Sequence, residues 1–160
     1  MYNFRYLFLF PLFVICGCGG DSSRPKDLPP LFPCTITVTQ GGASLEGAYV
    51  ELVSPNGQKY RPSAPTDVNG NAVMMTYGHA GAPAEKYKIL VSKVIEDDIV
   101  YGPDDYGGQT KVVSFNRYKL VADLYADAEK TPHEIEVTKK KTQITIDVGE
   151  AVRVRMLGND

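Results

Sequence analysis

Leu45-Glu46-Gly47-Ala48-Tyr49-Val50, Thr66-Asp67-Val68-Asn69-Gly70-Asn71-Ala72 and Ala82-Pro83-Ala84-Glu85-Lys86-Tyr87-Lys88-Ile89 decide how this chain folds. Each piece sets small or turn-forming residues directly before a short alternating apolar run, as an antiparallel β domain does. In the middle piece Asp67 and Asn69 can bond the local backbone, and Gly70 can supply a left-handed turn residue. Asp67, Asn69 and Asn71 also fall at alternate positions, as in a calcium loop. The EF-hand pattern fails, however, because Gly70 is misplaced and the twelfth position is Gly78 instead of Glu. A structural turn is the reading that stands.

Strands extend on either side of these pieces. Cys34 to Thr39 alternates, with Cys34, Ile36 and Val38 expected inward and the threonines outward. Gln40 to Ala43 is a turn, and Ala48 to Val53 is a strand with Ala48, Val50 and Leu52 on one face. Pro55-Asn56-Gly57 signals a reversal, and Lys59 to Pro62 reads as a short edge strand. Ala72 to Tyr77 and Tyr87 to Val94 follow, the latter with Tyr87, Ile89 and Val91 on its inner face. Residues 95–131 read as an irregular, acidic, turn-rich insertion, with Leu120 to Tyr125 a candidate helical turn. Glu134–Val137 and Thr142–Val148 alternate again and read as a hairpin joined by Lys139-Lys140-Lys141. Val152 to Met156 adds a strand or a tail whose arginines protect an edge.

The three opening pieces together resemble the carboxypeptidase regulatory-like domain, a transthyretin-like (prealbumin-type) fold. The resemblance implies an all-β, Greek-key antiparallel β-sandwich of about seven strands over 34–150, with 151–160 as a C-terminal strand or tail. Glu85 departs from the family pattern, which has glycine before the Lys-Tyr pair. The run from Tyr125 through Thr131-Pro132 to Val137 resembles the end of small bacterial lipoproteins that carry this domain.

The N-terminus carries an address. Arg5 is the only charge in a short head, and Leu7 to Ile15 forms an apolar core. About ten apolar residues fall short of the roughly 20 that a permanent membrane helix needs, and they match a secretory signal, disordered or helical, over 1–17. Ile15-Cys16-Gly17-Cys18 resembles the bacterial lipobox, which implies lipid attachment at Cys18. Cys16 is the competing site, but there Phe13-Val14-Ile15 puts a bulky residue where a small one is wanted. An uncleaved anchor and an ordinary secretory signal are the alternatives. Gly19 after Cys18 favours the outer membrane or cell surface under the enterobacterial sorting rule. Residues 18–33, with Gly-Gly, Ser-Ser and prolines at 25, 29, 30 and 33, read as a flexible tether. Acylation of Cys18 leaves Cys34 as the one cysteine of the mature chain, so no internal disulfide forms. Cys34 reads as a buried thiol, with a reactive thiol or intermolecular pairing as alternatives.

Composition narrows the function classes. The chain has 160 residues, 22% of them charged and 43% apolar, with a net charge of −2, which suits one domain with short extensions. It lacks the basic face that nucleic-acid binding calls for. Ten tyrosines and no tryptophan, with frequent Val, Thr and Ile, lean towards strands. Related enzymes do not carry over. Hydroxyisourate hydrolases end in Tyr-Arg-Gly-Ser, but this chain ends Leu157-Gly158-Asn159-Asp160. Intradiol dioxygenases need two Tyr and two His on iron, and His79 and His133 lack the close spacing. A Gly-x-Ser-x-Gly elbow is missing, and the first strand lacks the lysine of isopeptide-forming pilin-like domains. The expectation is a non-catalytic protein without a cofactor, held to the membrane by its lipid. It would serve as a binding, adhesion or assembly module for an envelope protein or polysaccharide, or as a structural subunit of an envelope complex. Contacts are expected on the insertion, at Asp97, Asp98, Asp104, Asp105 and Tyr106.

Overall fold

The computed structural model describes residues 24–57, 59–103 and 110–156. Cys16, Cys18 and the apolar core of the N-terminus lie outside the described residues, as do Asp104, Asp105 and Tyr106. The fold is all-β. In chain order the strands are β1 (Leu31–Phe32), β2 (Cys34–Gln40), β3 (Ala43–Ser44), β4 (Tyr49–Val53), β5 (Ser63–Pro65), β6 (Asn71–Val73), β7 (Met75–Thr76), β8 (His79–Ala80), β9 (Ala82–Pro83), β10 (Lys86–Ser92), β11 (Val94–Pro103), β12 (Thr110–Lys119), β13 (Glu134–Glu136), β14 (Thr142–Asp147) and β15 (Val154–Met156). One 3-10 turn, Asp123–Ala126, interrupts them.

Two sheets enclose the core. The first runs β13-β10-β4-β5-β7-β8 and is antiparallel throughout. In the second, β2 is central: β14 lies parallel to it, while β3 and β6 pair antiparallel along its other edge. Strand alternation then does what the pattern predicts. Cys34, Ile36 and Val38 point inward from one sheet, and Val50, Leu52, Tyr87, Ile89 and Val91 point inward from the other, all in one cluster. Each large apolar side chain so buried contributes about 1.5–3 kcal/mol. Buried hydroxyls among them are satisfied at short range. Thr66 donates to the Leu45 carbonyl at 2.5 Å and accepts from the Ala48 amide at 2.8 Å, and Thr76 donates to the Gly81 carbonyl at 2.7 Å. Leaving such groups unpaired in a core would cost about 1–3 kcal/mol each.

The Asp67 turn is a structural device, as its sequence suggests. One Asp67 carboxylate oxygen accepts from the amides of Asn69 at 2.9 Å and Asn71 at 2.8 Å. These bonds hold the carboxyl below its ordinary range, the Asn71 amide contributing most. Gly70 has φ +77°, and a Cβ there would overlap the Val38 carbonyl oxygen. The closeness has a purpose: the Val38 amide donates to the Gly70 carbonyl at 2.8 Å, which docks the turn on β2.

Several expectations change. The segment read as a tether over 18–33 contacts the domain from Asp27 onward, where Asp27 pairs with Lys59 at 2.7 Å. Leu28 is buried, Phe32 packs on the core, and β1 pairs with β9. The edge strand read at Lys59–Pro62 lies instead at Ser63–Pro65, because Pro62 is buried and its carbonyl accepts from the Leu52 amide at 2.8 Å. The strand read over Ala72–Tyr77 divides at Met74 between the two sheets. The Glu134–Val148 hairpin does not form. Ile135 belongs to β13 against β10, whereas Ile144 and Ile146 belong to β14 against β2. Alternation identifies each as a half-buried strand but is silent on which sheet it covers. The candidate helical turn sits slightly later, at Asp123–Ala126.

The largest change is at 95–131. Its first part is a long hairpin of two ten-residue strands, β11 and β12, with β15 added along Arg117–Lys119. Both faces are solvated for most of its length, so the apolar alternation that marks a half-buried strand is absent. Acids are tolerated because bases lie across from them, as Arg117 does opposite Glu96.

Two substitutions test this architecture by equilibrium urea unfolding. Leu52→Ala empties a fully buried site between the sheets and should cost about 2–5 kcal/mol. Gly70→Ala should cost more than about 1 kcal/mol, since the left-handed backbone and the Val38 contact both oppose a side chain.

Candidate functional site

The arm formed by β11, β12 and β15 is the part of the chain that the core does not consume. It is rooted where the Leu120 amide donates to the Lys93 carbonyl at 2.9 Å, and the Gln40 side-chain amide donates to the Leu120 carbonyl at 2.8 Å. Past that root, Val100 is 53% exposed, Tyr101 61%, Val112 50% and Val113 59%. A two-stranded ribbon with bare faces is marginal in water by itself, so what reinforces it matters.

Reinforcement comes from the acids singled out in the sequence. Asp97 accepts from the Arg153 guanidinium at 2.7 Å, and that guanidinium lies 4.3 Å over the Tyr118 ring. Asp98 accepts from the Asn116 amide at 3.0 Å and from the Tyr118 hydroxyl. The Tyr118 hydroxyl, more than any other group, holds the Asp98 carboxyl below its ordinary range, with Asn116 next. Asp98 also has φ +54° and marks a bulge, where the register slips between Asp97 and Val100. Glu96 and Arg117 pair at 3.0 Å. Asp97 and Asp98 are therefore turned into the arm's own bracing, which fastens the C-terminal strand. Tyr118 and Asn116 were not singled out by sequence reasoning, and Arg153 was read as protecting an edge. The available signal was the Arg153–Arg155 alternation, which suits a strand facing acids.

The remaining polar groups are structural. Glu85, where the resembled family has glycine, accepts from the Ser54 hydroxyl at 2.7 Å and the Asn56 amide at 3.0 Å, tying down the Pro55-Asn56-Gly57 reversal. The His133 ring stacks on Tyr125 at 5.5 Å and its Nε2 lies 3.0 Å from the Asp147 carbonyl. The Asp147 carboxylate accepts from the Thr39 hydroxyl at 2.7 Å and from the Gly42 and Gly149 amides at 3.0 and 2.7 Å, bonds that hold it below its ordinary range. Cys34 is buried, and burial pushes its thiol up to about 11. Such a thiol is protonated at neutral pH and is a poor nucleophile. Among the described residues, no group of three or more His, Cys, Asp or Glu converges on a metal position. No helix among them is long and apolar enough to cross a membrane. A depression of about 240 Å³ is lined by Lys86, Glu134, Ile135 and Glu136.

No family model, no curated protein and no solved structure matches the chain.

Two outcomes follow from the geometry. A carboxyl with a depressed pKa contributes stability that is present above its unfolded value, near 3.8, and is lost as pH falls through its folded value. Hydrogen exchange at Val154–Met156 should therefore speed up as pH drops below about 4, after correction for intrinsic rates, and Asp98→Asn should flatten that dependence. Peptide mapping after alkylation at pH 8 should find Cys34 unmodified in the native chain and modified in urea.

Proposed function

We propose that the chain is a non-catalytic, lipid-anchored β-sandwich of the bacterial cell envelope that acts as a binding, adhesion or assembly module. The observation that carries this reading is the contrast between a sealed core and an exposed arm. The polar groups described above bond to the backbone or to each other as fastenings, and among the described residues the buried Tyr60 hydroxyl and Glu85 Oε2 are the exceptions. Exposed apolar surface is concentrated on the arm instead, and such surface on a solvated element marks interaction sites.

The finer architecture proposed is a Greek-key, prealbumin-like sandwich of about seven principal strands. Two packed sheets with a shared core, and the Asp67 turn docked on β2, support it. The anchor rests on Ile15-Cys16-Gly17-Cys18 and the apolar run before it. Several acyl chains at Cys18 would provide stable attachment without a membrane helix. Docking from Asp27 would leave residues 19–26 as the link, a reach of roughly 28 Å when extended, so the domain would sit close to the membrane. That closeness favours an assembly role at the envelope over long-range capture.

Metabolic labelling with a palmitate analogue tests the anchor: label should enter the wild type and be lost in Cys18→Ala, and unchanged labelling defeats the assignment. Protease shaving of intact cells separates display, in which the domain is cleaved, from a periplasmic subunit, which survives.

A further inference from the structure

We infer that the chain self-associates arm to arm, a second copy pairing antiparallel along the outer edge of β11 so that each arm covers apolar side chains of the other. Four observations converge on this partner.

The first is an open edge. β11 pairs with β12 on one side, and on its other side it pairs with no strand among the described residues. The far edge of β12 is capped by β15 at Arg117–Lys119. An unpaired strand edge presents backbone donors and acceptors to an incoming strand.

The second is the uncovered apolar area. Val94, Ile99, Val100 and Tyr101 on β11, Val112, Val113 and Phe115 on β12, and Val154 and Met156 on β15 are each 37–61% exposed. At about 150–250 Å² for a fully exposed large side chain, they leave on the order of 800 Å² bare. Neighbours such as Val112 and Val113 point to opposite faces, so each face carries roughly half of that, comparable to the largest apolar patch on a typical monomer, about 300–600 Å² and often functional.

The third is that the charges on this edge have partners within the arm. Charges on an edge strand normally repel a second strand. Here Glu96 is paired with Arg117 and Asp97 with Arg153, while Asp98 accepts from Tyr118 and Asn116.

The fourth is self-complementarity. The acids occupy Glu96–Asp98, and Ile99–Pro103 carries no charge. A two-fold axis through the Val100 pair sets Ile99 against the second copy's Tyr101, Asp98 against its Gly102 and Asp97 against its Pro103. A parallel pairing in register would stack acid on acid, which is destabilising. The charge pattern thus selects the isologous arrangement, which closes as a dimer and does not propagate. The inference rests on the arm and is independent of the proposed lipid, so either can fail alone.

The test uses the full chain. In cells carrying Val100→Cys, a short bismaleimide should yield a species of twice the chain mass, its mapped cross-link joining the introduced thiols of two copies. The control Val68→Cys, exposed on the Asp67 turn, should stay monomeric. Purified in mild detergent, the wild type should double in mass with rising concentration by sedimentation. The pair of changes Ile99→Lys and Val100→Lys should weaken association at least tenfold with an unchanged thermal transition, since neither residue lies in the core. Cys18→Ala should dimerise like the wild type. A monomer at all concentrations, equal cross-linking of the Val68 variant, an adduct of Val100→Cys only with a different protein, or loss of the dimer in Cys18→Ala would each overturn the inference.

Discussion

Six residues, Asn71 to Thr76, belong to both sheets, and the rest of the structure depends on that crossing. Asn71–Val73 pairs with β2 in one sheet, while Met75–Thr76 pairs with β5 and β8 in the other. Met74 sits between, fully buried, its amide donating to the Cys34 carbonyl at 2.9 Å and its carbonyl accepting from the Gly81 amide at 2.7 Å. A strand that changes sheets must keep every backbone group bonded through the corner, because an unpaired one in the interior has no water to turn to. The Asp67 turn delivers the chain to this crossing at a set register, and the Thr76 hydroxyl secures its exit by bonding the Gly81 carbonyl. With the two sheets joined there, β4 and β10 can lay their inner faces over β2 and close the core.

The sandwich spends its polar side chains on fastening: Thr66 and Thr131 bond the backbone of neighbouring strands, Asp147 gathers a hydroxyl and two amides, and Glu85 holds a reversal. None of these leaves a free nucleophile beside a base. The arm, in contrast, is braced by pairs that are themselves exposed, and exposed pairs contribute little, about 0–1 kcal/mol each. Its apolar side chains remain available for contact. A domain built this way joins a packed sandwich to a solvated ribbon.

The acids around Asp97 show how far local reading of a charged stretch can go. As a string, Glu96-Asp97-Asp98 beside Pro103-Asp104-Asp105 looks like a solvated loop. In the folded chain the first three sit on a strand, and their partners come from residues 116–118 and 153. Those partners lie up to 56 positions away, a separation over which no pattern of spacing operates. The charge that marks a loop in one context marks cross-strand pairing in another.

Much of the scaffold was legible in the amino-acid order. Period-two alternation identified the buried faces of Cys34–Val38, Ala48–Leu52 and Tyr87–Val91, and the Asp67–Gly70 chemistry identified its turn, because both are set by a residue's nearest neighbours along the chain. Membership of the chain among β proteins followed from these alone. Tertiary structure decided what no neighbour can: that Ile135 and Ile146 cover different sheets, that β14 runs parallel to β2, that the segment from Asp27 docks, and that an acidic insertion is a braced arm. The reason is physical. Side-chain alternation specifies that a strand has an inside, but the choice of partner depends on which edge is left open once the rest of the chain has packed.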